Sequence, residues 1–471
     1  MEQWSWPSRY DESYRPAPDE TYWFTRRETM APVERDAAIL ERIRQVMTWC
    51  WERSPFYRRK WEEAGIHPGA IRSLDDFERV PITTKEELRA TQAAHPPFGD
   101  YLCVDAREVS HVHGTSGTTG RPTAFGISAD DWRAIANEQC RVMWAMGIRP
   151  SDTVFIGSFF SLYMGSWGTL IGAERLGARV FPFGAGAPGQ TRRAVTWLKE
   201  MRPSAFYGTP SYALHLAEVA RETGIDPREF GLRILFFSGE PGASIPSIRT
   251  KIERLYGGVV IDSGSMAEIS PWMNLAESSA RVGMLVWQDI VYCEVCDPRT
   301  HRRVRYGAEG TPIYTTLHRR SQPMVRLVSN DLTSWEAGPS PCGRTYPVLP
   351  RGIYGRIDDM FTIRGENVYP SAIDAVVTAL PGYGGEHRIV ITREEAMDEL
   401  AVRVEYDQAT WGSGDAAIDA LRRRAEADLR TVLGVRARVI AVAPGTLERT
   451  EFKARRVVDD RDLWREARRM T

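Results

Sequence analysis

At 471 residues the chain exceeds what one hydrophobic core usually serves, so two or more domains are expected. Composition is ordinary for a globular protein, 42% hydrophobic and 26% charged, and Lys+Arg 61 against Asp+Glu 62 leaves a net charge of -1. That balance exerts no general pull on nucleic acid or an anionic membrane, and neither is expected as a partner.

The opening MEQWSWPSRY carries no apolar signal core and the six cysteines are scattered, which points to a reduced, cytoplasmic setting. From Pro32 to Glu63 the apolar spacing (Ile39, Ile43, Val46, Met47, Trp51) predicts a peripheral helix pair. EVSHVHG reads as a strand running into HGTSGTTGRP, His113 to Pro122. Segments then alternate as α/β units do. DTVFIGS, ARVFPF, SAFYGTP, RILFFSGE and GVVIDSGS are strands, separated by helices in GSWGTLIGAERLG, TRRAVTWLKEMR, SYALHLAEVARETG and IPSIRTKIERLYG. Thr153 to Ala173 holds no charged residue and is long enough to span a bilayer. Four glycines dilute it, however, and a buried strand followed by a cavity-lining helix fits better.

From about Trp287 the texture turns β-rich (IVYCEVCDP, GTPIYTTL, PMVRLVSNDL), and from Ser371 it alternates again as a small α+β unit. The joint is expected near Gly355–Asp359. The expected division is a large domain over 1–356, with α/β sheets and a β-rich part, and a small α+β domain over 357–471.

HGTSGTTGRP packs three Gly, three Thr and one Ser into ten positions and contains no lysine. Glycine allows close approach of the backbone to a ligand, and hydroxyls with exposed amides cradle phosphate oxygens. Thr115, Ser116, Thr118 and Thr119, spaced by Gly117 and Gly120, suit terminal phosphates, placed where open α/β sheets bind ligands. Alone, such a stretch is more often an ordinary turn, and without lysine it is not the GxxxxGK[ST] loop. Two buried strands exit into Gly/Ser and then a carboxylate: RILFFSGEPG (Ser238, Gly239, Glu240) and VVIDSGSMAEIS (Asp262, Ser263, Gly264, Glu268). Asp331 in SNDLTSW can accept from ribose hydroxyls. YGRIDDMFTIRGENVYP carries Arg356 and Asp358–Asp359, and LERTEFKARRVV carries Lys453. Singly, each is a charged turn or solvated surface.

In this order the six features resemble the adenylate-forming enzymes, most closely the phenylacetate-CoA ligases, from about Leu40 to about Val457. TSGTTGRPT, TPSY (Thr209–Tyr212), SGEP, GRIDDM, RGENVYP and FKARRV carry the resemblance jointly. It implies the adenylate-forming fold and the cofactors ATP, Mg²⁺ and CoA. It further implies that Thr115, Ser116, Thr118 and Thr119 hold the β/γ-phosphates. Glu268 would coordinate Mg²⁺, Asp331 bind the ribose hydroxyls, and Arg356 contact ribose or phosphate. Asp358 would be a hinge, and Lys453 would bridge the acyl carboxylate and the α-phosphate. Mg²⁺ and a lysine would then neutralise two anionic reactants in the transition state. The chain departs from the family pattern at Gly264, where an adenine-stacking aromatic is usual, at Ala267 and at Val328.

The expected reaction is ATP-dependent adenylation of an aromatic carboxylic acid and transfer of the acyl group to a thiol, most naturally CoA. A carrier-protein thiol or a small nucleophile is the alternative acceptor. A nucleotide-binding relative without turnover is separated from both by acid-dependent pyrophosphate release. The acid pocket is expected to involve Phe160, Leu162, Tyr163, Met164, Trp167, Tyr207, Phe236 and Phe237. No acidic residue occurs between Thr153 and Ala173 to pair an α-ammonium group, which disfavours a free amino acid. A monomer or homodimer is expected. Cys293-x-x-Cys296 has metal-like spacing, but VYCEVC alternates as a strand and sends the two thiols to opposite faces, against zinc.

Overall fold

The computed structural model describes residues 6, 8–114, 123–185, 189–240, 242–264, 266–269, 273–357, 361–363, 366–394, 397–411, 414–448 and 456–459. After a single turn, α1 (Thr25–Glu28), the expected helix pair follows. In α2 (Pro32–Arg53) Ile39, Ile43, Val46, Met47 and Cys50 form the buried face. Ser54 caps α3 (Pro55–Glu63), accepting from the Tyr57 N–H at 3.2 Å. The short α4 (Leu74–Phe77) leads to α5 (Lys85–Ala94), opened by a reciprocal capping box of Thr84 and Glu87.

β1 (Val109–Gly114) and β2 (Ala124–Ser128) pair antiparallel as a two-stranded sheet of their own. This corrects the expectation that the Gly/Thr loop ends a strand of the open sheet. The connection 115–123 is too short for a crossover helix, so the chain folds back on itself. Ser128 then caps α6 (Ala129–Ala145).

The main sheet begins with β3 (Thr153–Ile156), followed by α7 (Met164–Leu176), β4 (Arg179–Phe181) and α8 (Gln190–Met201). It continues through β5 (Ala205–Gly208), α9 (Pro210–Glu222), β6 (Ile234–Phe237), α10 (Pro246–Tyr256) and β7 (Val259–Gly264). These five strands are parallel; β8 (Leu275–Ala276) and β9 (Met284–Val286) extend the sheet antiparallel beyond β7. The uncharged run from Thr153 resolves into β3, a loop and α7, and no described helix is long and apolar enough to cross a membrane.

Side chains alternate strictly across this sheet, as a pleated strand demands. Val154, Ile156, Ala205, Tyr207, Ile234, Phe236 and Ile261 join the core shared with α6 and α7. Phe155, Phe206, Leu235, Phe237 and Val260 join the core beneath α8, α9 and α10.

β10 (Val291–Cys296), β11 (Glu309–Thr316), β12 (Leu327–Val328) and β13 (Asp331–Ser334) form a second sheet. β14 (Val348–Leu349) returns to the main sheet beside β9, and β15 (Gly355–Arg356) pairs with β13. Cys293 packs in the main core while Cys296 lies with Ile313 and Val328 in a separate cluster, so the two thiols do face apart. Among the described residues no group of three or more His, Cys, Asp or Glu is placed to hold a metal.

A knot of buried charge ties the N-terminal segment to these layers. Arg27 bonds Glu138 at 3.2 Å and Asp289 at 2.7 Å, Arg141 bonds Asp289 at 2.9 Å, and Arg344 bonds Glu28 at 2.8 Å.

The remaining chain forms the hairpin β16 (Phe361–Ile363) and β17 (Glu366–Val368), α11 (Pro370–Thr378), β18 (Tyr383–Glu394) and β19 (Met397–Tyr406). α12 (Gln408–Trp411), α13 (Asp415–Leu433), β20 (Arg438–Val442) and β21 (Val457–Asp459) complete it. Its sheet order is β20-β19-β18-β21, over a core of its own built on Ile373, Val377, Ile389, Val402 and Leu429. It meets α10 through Ser247 and Thr378, whose hydroxyls lie 2.9 Å apart.

Candidate nucleotide and acid site

The strand order of the main sheet reverses between β3 and β5, because β4 lies on one side of β3 and the chain returns to place β5 on the other. The carboxyl ends at such a switch point form a crevice where open α/β sheets bind ligands. Three predicted residues converge here. The Tyr163 hydroxyl lies 3.1 Å from those of Tyr207 and Ser238, and Tyr207 lies 2.7 Å from Ser238. Burial raises the pKa of both phenols, so they stay neutral hydroxyls. Gly165 makes room for the group: a Cβ there would stand 2.3 Å from the Tyr207 oxygen and 2.5 Å from the Tyr163 ring.

Further residues expected to line the pocket belong to the same core. Tyr207 packs on Phe236 at 5.2 Å between centroids, and Phe160 meets Trp167 edge-on at 5.1 Å. Met164 is buried in that core, whereas the Leu162 side chain is 47% exposed. Phe237 does not belong to this group; strand alternation turns it to the opposite face. The base of the Gly/Thr loop docks at the same crevice. Gly114 N–H donates to the Leu162 carbonyl at 3.0 Å, and His113 Nδ1 lies 3.3 Å from that oxygen. Burial pushes His113 down to about 4, so it is neutral at pH 7. Gln92 pins the other arm by accepting from Ala124 N–H at 3.1 Å. Thr115, Ser116, Gly117, Thr118, Thr119 and Gly120, with Asp358 and Lys453, lie outside the described residues.

The other strand exits divide between structure and site. The Glu240 carboxylate accepts from Ser211 N–H at 2.7 Å, closing the first turn of α9. Asp262 is buried, and burial with the neighbouring Glu277 carboxylate pushes it up to about 7. Ser263 donates to the Phe237 carbonyl at 2.7 Å. These three side chains hold the exits in shape, whereas Gly264 ends its strand with open space: a Cβ would find only Met284, at 3.9 Å. Asp331 and Arg356 are cross-strand partners, with the guanidinium donating to the carboxylate at 3.2 Å. Val328 packs in the apolar cluster with Cys296 and Ile313.

Glu268 is buried. Its Oε1 lies 3.3 Å from Lys85 Nζ, and its backbone carbonyl accepts from Arg319 Nη1 at 2.7 Å. A single carboxylate is a donor that fits Mg²⁺, an ion that usually keeps several of its waters. Sequence reasoning missed Lys85; only the capping signal Thr84-x-x-Glu87 marked its helix start.

The family model of the AMP-binding enzymes matches residues 68–314, and that of the AMP-binding enzyme C-terminal domain matches 365–461. The phenylacetate-coenzyme A ligase of Thermus thermophilus is 34% identical across 92% of this chain and 98% of its own. This chain belongs to the phenylacetate-CoA ligase family of AMP-binding enzymes. The ligase is an AMP-forming acyl-CoA ligase with the adenylate-forming fold. Among solved structures, 2-hydroxyisobutyryl-CoA ligase in the postadenylation state with 2-HIB-AMP is 62% identical. It covers 100% of the ligase and 99% of its own chain, at a TM-score of 0.95. The same protein with 2-HIB-AMP and CoA in the thioesterification state, again 62% identical over 100% and 99%, superposes at only 0.76. The ligase therefore has the arrangement that this neighbour adopts after adenylation.

Proposed function

We propose that the ligase activates a short hydroxylated carboxylic acid as its acyl-AMP and transfers the acyl group to CoA. The observation that carries this reading is the buried triangle of Tyr163, Tyr207 and Ser238 hydroxyls. Three hydroxyls held this closely form a polar patch that can both donate and accept hydrogen bonds. Such a patch suits an acid that carries a hydroxyl better than a purely apolar one. The 62% identity to 2-hydroxyisobutyryl-CoA ligase over the whole chain supports the same choice. An aromatic acid is the second reading, favoured by the Phe160–Trp167 pair and by the phenylacetate-CoA ligase relatives.

In the first step an acid oxygen forms a bond to the α-phosphorus of ATP and the bond to the leaving pyrophosphate breaks. In the second the CoA thiolate attacks the acyl carbon and AMP leaves. Asp331 and Arg356 hold the ribose, and Thr115, Ser116, Thr118 and Thr119 hold the terminal phosphates. Glu268 would hold Mg²⁺, which would supply charge neutralisation on the phosphates when bound. Lys453 bridges the two anionic reactants in the first step. The small domain over 357–471 then swings about Asp358 to admit the thiol. A cytoplasmic setting agrees with six unpaired cysteines.

The test compares pyrophosphate release with 2-hydroxyisobutyrate, with pivalate (a methyl replacing the hydroxyl) and with phenylacetate. Wild type should favour the hydroxy acid over pivalate by ~10-fold or more in kcat/KM. Ser238→Ala and Tyr163→Phe should bring that ratio close to one. Preference for phenylacetate over both aliphatic acids would overturn the assignment in favour of the aromatic reading.

A further inference from the structure

Lys85 stands at the first position of α5, and its setting is rigid. Thr83, two residues earlier, is fully buried and bridged to the strand that leads to Asp331. Thr83 N–H donates to the Arg326 carbonyl at 2.8 Å, Val328 N–H donates to the Thr83 carbonyl at 3.0 Å, and the Thr83 hydroxyl donates to the Val325 carbonyl at 2.9 Å. The capping box then fixes the direction in which the helix leaves. Lys85 is thus carried on the same framework as the ribose-binding strand and aimed at Glu268, 3.3 Å away.

Glu268 is flanked by cations on both sides. Lys85 meets its carboxylate, and Arg319, itself buried, donates to its backbone carbonyl. Arg319 Nε and Nη2 have no hydrogen-bond partner among the described residues. The buried Asp131 carboxylate also acts on Arg319, so Lys85 is the cation that meets the Glu268 carboxylate itself.

Both half-reactions need such charge. The first joins two anions, and the second brings a thiolate to an acyl phosphate. Lys453 lies on the C-terminal segment, and the two states of the 62% identical neighbour superpose on this chain very differently. Lys85 and Glu268 instead share one framework. Resting on the ligase reading above, we propose that Lys85 is a resident positioning cation that holds Glu268 and serves both half-reactions.

The test uses Lys85→Met, nearly isosteric and neutral, and Lys85→Arg, which keeps the charge. Four quantities are measured: thermal melting, acid-dependent ATP–pyrophosphate exchange, acyl transfer to CoA from chemically made acyl-AMP, and calorimetric affinity for AMP with and without Mg²⁺. Lys85→Met should melt near wild type, lose ~10-fold or more in both half-reactions, and bind AMP ~10-fold more weakly. Lys85→Arg should recover most of each loss. Lys453→Ala, the control, should lose ~10²–10³-fold in exchange while its transfer stays near wild type. Wild-type transfer and wild-type AMP affinity in folded Lys85→Met would overturn the proposal. If that variant does not fold, Lys85→Gln, whose amide can still hydrogen-bond Glu268, carries the AMP measurement. Wild-type AMP affinity in Lys85→Gln then overturns it. Absence of exchange in wild type with every acid would instead defeat the ligase reading, and the AMP comparison would still decide the role of Lys85.

Discussion

Replacing Gly165 by alanine tests the acid pocket with a single methyl group. The added Cβ would lie 2.3 Å from the Tyr207 oxygen and 2.5 Å from two Tyr163 ring carbons, where ordinary contacts begin at 3.4 Å. Each phenol must therefore move by roughly 1 Å. Tyr207 is fully buried between Phe236 and Ser238, so it has nowhere cheap to go. Overpacking of this kind costs about 1–3 kcal/mol, and alanine in place of glycine in a helix returns up to about 1 kcal/mol. The net loss of stability should be about 3 kcal/mol or less, while a hydroxyl displaced by roughly 1 Å loses most of its hydrogen bond. Gly165→Ala should thus raise KM for a hydroxy acid by about 10-fold or more, with KM for ATP nearly unchanged. The check is pyrophosphate release at saturating ATP, alongside a thermal melt. Wild-type KM for 2-hydroxyisobutyrate in a variant that folds would show that the triangle does not touch the acid.

Three further outcomes follow from the geometry. Gly264 ends its strand beside open space, so Gly264→Tyr should supply an adenine-stacking ring worth about 1–2 kcal/mol and lower KM for ATP by roughly 5–30-fold; an unchanged KM would place the adenine elsewhere. Glu138→Gln leaves Arg27 and Arg141 short of a buried counter-charge and should cost about 3–5 kcal/mol in a denaturant melt, against near zero for the exposed Glu222→Gln. Asp262, pushed up to about 7 from an unfolded value of about 3.9, keeps its proton more firmly when folded. Stability should therefore fall as pH rises from about 4 to 7, by at most about 4 kcal/mol, and Asp262→Asn should flatten that slope; a slope identical to wild type would remove Asp262 as its source.

Local pattern carried much of this fold. The α/β alternation from Thr153 to Gly264 appears in the structure element for element, because each buried strand is a short apolar run between amphipathic helices. The opposite facing of Cys293 and Cys296 followed from strand parity alone. Parity also forbade Phe237 a place beside Phe236, a consequence visible in ILFF itself. What stayed hidden depended on pairings far apart in sequence. β1 gives the same apolar signal whether it joins a large sheet or folds back on β2. The Tyr163–Tyr207–Ser238 triangle needs three strand exits to meet, and aromatic residues read in isolation suggested an apolar pocket. Lys85 lies 183 residues from Glu268, and nothing near either residue announces the other. The charged knot of Arg27, Glu138, Arg141 and Asp289 was silent for the same reason.

The alternation along β3, β5 and β6 bears on how such a protein diverges. Ile156, Tyr207 and Phe236 face the layer that holds the hydroxyl triangle, whereas Phe155, Phe206, Leu235 and Phe237 anchor the opposite helices. Selection for a new acid and selection against unfolding therefore act on neighbouring codons that are mechanically separate. A lineage can exchange one set while the other keeps the molecule folded. A library randomised at Ile156, Tyr207 and Phe236, with the alternate positions fixed, would sample substrate range at a low rate of collapse.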